Sequence, residues 1–467
     1  MKERMKKNNI VLASKKIIVF YIVILFAAVW MEYYNLFAFH TNKVSGGILS
    51  VLIYYFIYTY FAKLYKAFKI GTYQIGEVIF SQVLSIGIAD SILYVECCLI
   101  SNRYVNIIPG LITAFLQIVG IVIWAVLAKQ YFIRNIRASK TLVIYGEDNV
   151  NEFAEKLYKK YNHLFNIKEY ISSDISKEKL YSKIDQYDTI MLYEIGKGIR
   201  TDTMEYCIQK KKVLYMTPRI ADIIVQGFDN RTLIDTPLLK YDYSYMQSKR
   251  FHWKRILDVG VSLLCLIFFV IPMLISMIAV KLEDGGPVFF KQKRCTKDGK
   301  IFEILKFRSM IVDAEKDGAV IPCVENDSRI TKVGKVIRRF RIDEMPQIFN
   351  VLSGDMSIVG PRPERVEHVK EYVSELPEFQ YRMRVKGGLT GYAQIFGKYN
   401  TSAYDKLKLD LMYIENQSLI LDLKLIMLTL KIMFLPESTE GFETEKSRII
   451  GKWGKAEYYS NTEKKVI

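Results

Sequence analysis

Two adjacent carboxylates, Asp343 and Glu344, lie between two groups of guanidinium side chains. Arg338, Arg339 and Arg341 precede them, and Arg362 follows within Gly360-Pro361-Arg362-Pro363. Carboxylate oxygens hold a hard divalent cation, a free oxygen nucleophile attacks phosphorus, and arginine forks grip phosphate oxygens, so these are the parts of a phosphoryl-transfer site. The same pattern has a plain structural reading. Asp-Glu ahead of Met345-Pro346 is an ordinary helix start, and Arg338-Arg339 suits a solvated helix face. The choice between the two depends on where the surrounding elements put these residues.

The chain has 467 residues, enough for two or three domains, and combines 51% hydrophobic with 25% charged residues in alternating blocks. A net charge of +17 fits nucleic acid or an anionic membrane surface. No zinc-finger spacing or aromatic-glycine RNA-binding signature accompanies it, so anionic membrane lipid is the expected partner and nucleic acid is not. Six cysteines (Cys97, Cys98, Cys207, Cys265, Cys295 and Cys323) show no metal-ligand spacing and suit reduced thiols. The four histidines are isolated, which argues against a histidine-based metal site or triad.

Residues 1–16 carry six Lys/Arg and form a basic N-terminus. The apolar run that follows is too long for a signal peptide and lacks a small-residue cleavage site, so it reads as a membrane span. Runs 17–39, 46–67, 76–99 and 107–132 are each long enough to cross a bilayer, which takes about 20 helical residues. Lys63, Lys66, Lys69, Lys129, Arg134, Arg137 and Lys140 share one side with the N-terminus, whereas the opposite loops hold only Lys43 and Arg103. Four transmembrane helices over 17–135, with both ends in the cytoplasm, are therefore expected. Glu77 and Asp90 fall in the third run. Intramembrane acids are functional candidates by default, but a place near a helix end or a partner within the bundle is the reading preferred here.

Over 140–245 strands alternate with helices: 141–146, a helix over 150–161, a strand at 188–193, a helix over 201–211, and a strand at 212–216. That order predicts a parallel, Rossmann-like α/β layer. The dinucleotide fingerprint is missing, because Gly146 leads into Glu147-Asp148-Asn149 with no further glycine for close approach of a pyrophosphate. Tyr206 with Lys210, and Tyr404 with Lys408, match a Tyr-x-x-x-Lys spacing, which chance supplies in a chain with 32 tyrosines. A structural or regulatory domain without a cofactor is expected.

The apolar segment 256–280 sets the topology of everything after it. Lys249, Arg250, Lys254 and Arg255 precede it, and Lys281, Lys291, Lys293 and Arg294 follow, so both flanks prefer the cytoplasm. Pro272 lies near its middle and removes a helical hydrogen bond. A re-entrant helix that breaks at Pro272 and returns to the same face satisfies both flanks, whereas a plain fifth span would carry the later residues outside the cell. The last domain, 250–435, begins with short strands around a Lys297-Asp298-Gly299-Lys300 turn. Near its end, 418–435 is apolar but holds Asp422, Lys424 and Lys431; the two lysines share a helix face, which suits a helix lying in the membrane interface. The tail 436–467 is polar and expected to be mobile.

Six motifs then occur in one order: Gly286-Pro287-Val288-Phe289-Phe290, Lys306-Phe307-Arg308-Ser309-Met310, Asp343-Glu344-Met345-Pro346-Gln347, Gly354 to Pro363, Gly388-Leu389-Thr390-Gly391-Tyr392-Ala393-Gln394, and Leu409 to Asn416. Together they resemble the bacterial sugar transferase family, the monotopic polyprenol-phosphate phosphoglycosyltransferases, over about 250–435. The four spans and the degenerate nucleotide-binding-like layer resemble the large branch of that family. The resemblance implies an α+β catalytic domain with the re-entrant helix, in the bacterial cell membrane, facing the cytoplasm. It implies transfer of a sugar-1-phosphate from a nucleotide diphosphate sugar, with UDP as the expected carrier, to undecaprenyl phosphate in capsule, exopolysaccharide or glycoconjugate assembly. By similarity Asp343 is the nucleophile and Glu344 a Mg²⁺ ligand. Arg338 and Arg362 are the phosphate clamps, and Lys306 and Arg308 supply positive field or hold the domain on anionic lipid. Asp410 aligns with a further acid of the family, with a substrate or metal-shell role and a structural ion pair both open.

Two positions depart from the family pattern. Lys386-Gly387-Gly388 stands where a basic residue, proline and glycine are usual, and Ile271 precedes Pro272 where some relatives have serine. Alternative functions are a membrane-anchored nucleotide-sugar dehydratase, against which the missing glycines count, and a non-catalytic scaffold, against which the intact Asp343-Glu344 pair counts. The sugar is not legible, and a homodimer is among the assemblies that the spans and the soluble layer allow.

Overall fold

The computed structural model describes residues 2–35, 43–146, 150–312, 314, 327–397, 401–433 and 458–459. Turn residues 147–149 and most of the polar tail lie outside the described residues. The chain forms two compact units, one running through Thr217 and one starting at Pro218.

The first unit opens with α1 (Lys2–Val29), which ends in a π turn over Trp30–Tyr34, then α2 (Lys43–Leu64), α3 (Ile75–Ser101) and α4 (Ile108–Asn135). All four are long and apolar enough to cross a membrane. They are apolar on every side, which a helix tolerates only where both neighbours and surroundings are apolar. Ile22, Tyr54, Tyr58, Leu93 and Ile121 are fully buried between helices, while Phe20, Phe56, Leu99 and Phe115 face outward. Polar links tie the helices. Gln117 Nε2 donates to Ile22 O (3.2 Å) and Tyr54 Oη (3.1 Å), and Tyr58 Oη donates to Gln82 Oε1 (2.7 Å). Asp90 sits beside the Tyr54 hydroxyl, and Glu77 lies in the first turn of α3, 3.6 Å from Lys160.

A parallel layer follows: β1 (Ser139–Tyr145), α5 (Val150–Tyr161), β2 (Phe165–Ser172), α6 (Lys177–Asp185), β3 (Thr189–Tyr193), α7 (Lys197–Gln209) and β4 (Val213–Met216). The strand order is β2-β1-β3-β4, all parallel, with Tyr458–Tyr459 beside β2. Leu142, Val143 and Ile144 on the central strand are fully buried, as expected where helices cover both faces. β2 and α6 were not legible in the sequence. Lys168 and Glu169 interrupt the apolar run of β2, yet Glu169 is buried, held by Lys183 (2.6 Å) and Tyr187 (2.8 Å).

The second unit begins with α8 (Ile220–Val225) and an antiparallel hairpin, β5 (Asp229–Leu233) with β6 (Thr236–Lys240). α9 (Tyr243–Asp284) is a single 42-residue helix, about 63 Å if straight, with Pro272 inside it. The break expected at Pro272 is not an interruption, since helical backbone continues on both sides. A mid-helix proline removes one hydrogen bond, and the turns around it remain closed. Both halves of α9 touch the same domain. Early in the helix, Arg255 donates to Val351 O and Leu352 O (2.6 Å each), and Asp258 Oδ1 accepts from Ser357 Oγ and Ile358 N (2.9 Å each). Late in it, Met273 and Val280 pack on Phe307 and Ile337. Ile267, Phe268, Ile271, Ile275 and Leu282, on the remaining surface, are exposed.

The rest of the unit comprises the antiparallel hairpin β7 (Phe289–Cys295) and β8 (Ile301–Phe307), α10 (Lys332–Arg339), α11 (Gln347–Ser353), β9 (Ser357–Val359), α12 (Val366–Glu375), β10 (Gly388–Thr390), α13 (Tyr392–Phe396), α14 (Ala403–Glu415) and α15 (Leu419–Met433). β9 and β10 pair in parallel so tightly that a Cβ on Gly388 would meet Gly360 N at 2.1 Å. In α15 the two lysines expected on one face part company: Lys424 is exposed and Lys431 is buried. Seven residues keep them on one side of the helix but two turns apart along it, so they meet different surroundings. Asp422 on the same helix is buried, 2.8 Å from Lys254 and accepting from Tyr413 Oη (2.7 Å).

Arg255 closes the carboxyl end of α11, where carbonyls lack helical partners. Arg255→Met removes two charge-assisted hydrogen bonds and should cost about 2–4 kcal/mol. A melting temperature several degrees below wild type is expected, and an unchanged one would show that the contact contributes nothing.

Candidate active site

The turn that carries the two carboxylates is fixed from both sides. α10 starts at Thr331, whose Oγ1 accepts from Gly334 N (2.9 Å) as an N-cap. It ends at Arg339, and two residues on Arg341 has φ +56° and ψ 21°, in the left-handed region. A non-glycine residue there costs about 1–2 kcal/mol, and the reversal it produces swings the chain into a single 3₁₀ turn, Ile342–Glu344. Ile342 and Met345, three residues apart, pack against the cluster of Met273, Phe307 and Ile337. Anchoring these two leaves Asp343 and Glu344 pointing away from the apolar side.

Glu344 is tied down. Its Oε1 accepts from Arg362 Nη2 at 2.6 Å and from Lys306 Nζ at 3.1 Å. Lys306 stands on β8 opposite Phe290, and Arg362 stands just past β9 between two prolines that restrict its backbone. Burial pushes the Glu344 carboxyl up, but the Arg362 and Lys306 charges and the Arg362 hydrogen bond outweigh it and hold the group well below the usual range. Asp343 is different. It is 8% exposed and has no hydrogen-bond or ion-pair partner among the described residues. Burial and the Glu344 charge push its carboxyl up, with Lys306, Arg338 and Arg341 opposing from a distance. Adjacent acids of the same chemistry thus have opposite electrostatic characters, one a fixed anion and the other a carboxyl without a partner among the described residues.

A second buried network stands behind Arg362. Asp410 Oδ2 accepts from Arg382 Nε (2.9 Å) and lies 2.8 Å from its Nη2, while that Nη2 also donates to Arg362 O (2.9 Å). Glu364 joins Lys406 at 3.0 Å and Arg382 at 3.7 Å. Burial raises Glu364, but Arg382 and Lys406 bring it down to about 2. Asp410 is therefore placed against Arg382, Lys406 and Glu364, where it fixes the backbone of Arg362. Arg308 is also turned elsewhere: it is buried, forks onto Asp284 and donates from Nε to Pro287 O (2.7 Å), closing the end of α9. Of the site residues expected from sequence, Asp343, Glu344, Lys306, Arg338 and Arg362 fall in one electrostatic neighbourhood. Arg382, Glu364 and Lys406 were not foreseen. Asp410 shares the apolar face of α14 with Leu407, Leu411 and Ile414, so it needs a buried cation, but spacing alone does not say which.

Among the described residues no three carboxylate, histidine or cysteine side chains gather as a ready-made cation cage. The two hard carboxylates fit a cation of the Mg²⁺ type only if phosphate and water oxygens complete its shell, the usual arrangement for that ion.

Comparison with known proteins bears on residues 248–436, which match the family model described as bacterial sugar transferase. The chain is similar to the UDP-N-acetylgalactosamine-undecaprenyl-phosphate N-acetylgalactosaminephosphotransferase of Aeromonas hydrophila, with 42% identity over 181 residues, 38% of this chain and 43% of that one. It is similar to the UDP-glucose:undecaprenyl-phosphate glucose-1-phosphate transferase of Klebsiella pneumoniae, with 45% identity over 191 residues, 40% of this chain and 41% of that one. The sugar transferase EpsL of Bacillus subtilis, described as uncharacterized, is 38% identical over 187 residues, 40% of this chain and 90% of that one. The chain thus spans less than half the length of the first two relatives.

The two carboxylates should respond oppositely to neutralisation. A raised acid binds protons more readily when folded, so ionised Asp343 costs stability as pH rises through its titration; Asp343→Asn should raise the melting temperature slightly. A depressed acid stabilises above its unfolded value and loses that stability as pH falls. Glu344→Gln, which leaves Arg362 and Lys306 unmatched, should lower stability at neutral pH by about 2–4 kcal/mol. Thermal melts of both variants at pH 7 test this, and shifts of the same sign would refute it.

Proposed function

Because the chain belongs to the bacterial sugar transferase family, we propose that it transfers a sugar-1-phosphate from a nucleotide diphosphate sugar, a UDP-sugar in particular, to undecaprenyl phosphate. The products are undecaprenyl diphosphate sugar and nucleoside monophosphate, and the step opens assembly of a capsule, exopolysaccharide or other glycoconjugate. The observation that carries this reading is the unpartnered Asp343 carboxylate beside a Glu344 neutralised by two cations.

Asp343 attacks the sugar-bearing phosphorus. A bond forms between its carboxylate oxygen and that phosphorus, and the bond to the bridging oxygen breaks, so the nucleoside monophosphate departs with the electron pair. The undecaprenyl phosphate oxygen then attacks the same phosphorus, releasing the Asp343 carboxylate and completing a ping-pong cycle. An anionic nucleophile approaching a diphosphate meets repulsion of about 4 kcal/mol per pair of unit charges at 4 Å and an effective dielectric of 20, roughly a thousandfold in rate. Lys306, Arg338 and Arg362 offset that repulsion, and Arg362 presents a fork shaped for phosphate. Mg²⁺ held by Glu344 would neutralise further phosphate charge.

The geometry of α9 supports a matching topology. This helix is long and apolar enough to cross a membrane, but the same domain touches it early, through Arg255, and late, through Val280, which favours both of its ends lying on one face. We therefore read α9 as entering and leaving one membrane face, with α1–α4 crossing, the layer over 139–216 Rossmann-like, and the site on the cytoplasmic face near anionic lipid. Asp343→Asn should abolish release of monophosphate from a panel of UDP-sugars while extraction and folding stay normal; full turnover by the variant would remove Asp343 as nucleophile. A reporter fused after Ser309 should register cytoplasm, and a periplasmic signal would overturn the topology.

A further inference from the structure

The guanidinium of Arg294 has no use in the reaction as described, and its surroundings are unlike those of its neighbours. Arg308, Arg362, Arg382 and Arg384 each meet a carboxylate, Asp284, Glu344, Asp410 and Glu415 in turn, and Arg255 meets a helix terminus. Arg294 meets none within ion-pair distance among the described residues. Its Nη1 donates to Pro363 O (3.2 Å) and its Nη2 to Gln292 Oε1 (2.6 Å), while its Nε is enclosed with no partner. A guanidinium offers five N–H donors, and an enclosed one without an anion is costly unless an anion arrives.

Position indicates which anion. In the β7–β8 hairpin Arg294 lies opposite Phe302 and Phe290 opposite Lys306, so Arg294 and Lys306 project from one face. The end of β7 is sewn to the segment after Arg362: Cys295 N donates to Glu364 O (3.0 Å), and Arg294 bridges Arg365. Burial, then the Arg362 charge, pulls the ionisation of Arg294 down to about 10 against the opposing charges of Glu364 and Glu344. Glu344 also lies within its field, whereas Asp343 is flanked by Glu344, Lys306, Arg338 and Arg341. Arg294 therefore stands next to Arg362, through its bond to Pro363 O, and Arg362 in turn holds the Glu344 that adjoins Asp343.

We propose that Arg294 binds the phosphate of the departing nucleoside monophosphate, the group that gains a negative charge when the bridging bond breaks. This assignment rests on the function proposed above. The test uses the full-length purified protein with uridine monophosphate as probe and three variants: Arg294→Gln, Arg294→Lys, and Lys293→Gln on the exposed opposite face of β7. Wild type should be stabilised against heat by the monophosphate and inhibited by it as a product. In Arg294→Gln the ligand-free melting temperature should hold or rise, because an unmatched charge is gone. Its thermal response to the monophosphate should vanish and the inhibition constant should increase about 10- to 100-fold. Arg294→Lys should fall between, and Lys293→Gln should match wild type. An Arg294→Gln protein that keeps the full monophosphate response overturns the proposal while leaving the function intact. A wild type that neither responds to the monophosphate nor releases it from any UDP-sugar sinks the function itself.

Discussion

One carboxylate oxygen, Glu344 Oε1, accepts from both Lys306 and Arg362, and these three residues come from three separate parts of the second unit: strand β8, the turn after α10, and the loop after β9. None of the three segments is long enough to define the position of the others. The shared oxygen brings them to one point, and it does so with charge, so the junction is also the electrostatic centre of the site. Saturating Glu344 with cations is what permits Asp343 to remain without a partner. If Lys306 or Arg362 turned to Asp343 instead, the chain would have a second structural ion pair and no free carboxylate for the proposed attack.

The support behind that junction is polar to an unusual degree for a domain this apolar in sequence. Arg382 joins Asp410 and the Arg362 carbonyl, Lys406 joins Glu364, Asp258 joins Ser357 and Ile358, and Lys254 joins Asp422 and Tyr413. Much of the large apolar surface points outward, along α9 in particular. A domain that turns its aliphatic residues outward has fewer of them to define its interior, and hydrogen-bonded charges then set the packing. Such pairs are weak sources of stability but strict about geometry, since a missing partner leaves a charge enclosed. The proposed transfer needs positional accuracy of that kind, because a small displacement of the attacking oxygen is costly.

One of the strained backbone positions falls in the same place. Arg341 takes a left-handed backbone conformation immediately before the carboxylates, and glycine, which would adopt it freely, is absent. The arginine keeps a positive charge near both acids, so the backbone cost is exchanged for field at Asp343 and Glu344. Strain of this sort persists only where the surroundings over-determine the turn, here through Ile342 and Met345 in the core and Glu344 in its ion pair.

Much of this was legible in the linear sequence, for local reasons. Apolar runs of sufficient length specify α1–α4 and α9, because a helix must satisfy its backbone wherever it is surrounded by hydrocarbon. Alternating blocks specify β1, β3 and β4, and the Asp343-Glu344 pair beside arginines marks a candidate phosphate site that could equally be a helix start. β2 carries no such block, because Lys168 and Glu169 interrupt it, and Glu169 is buried only through its bonds to Lys183 and Tyr187. Arg308 looked like part of the site and proved to be bound to Asp284, while Arg382 and Arg294 carried no local signal. Pairing is the quantity that sequence cannot supply. Which cation meets which carboxylate depends on residues far apart in the chain, so composition and spacing establish that Asp343 and Glu344 are both present, and only the folded structure decides which is tied and which is free.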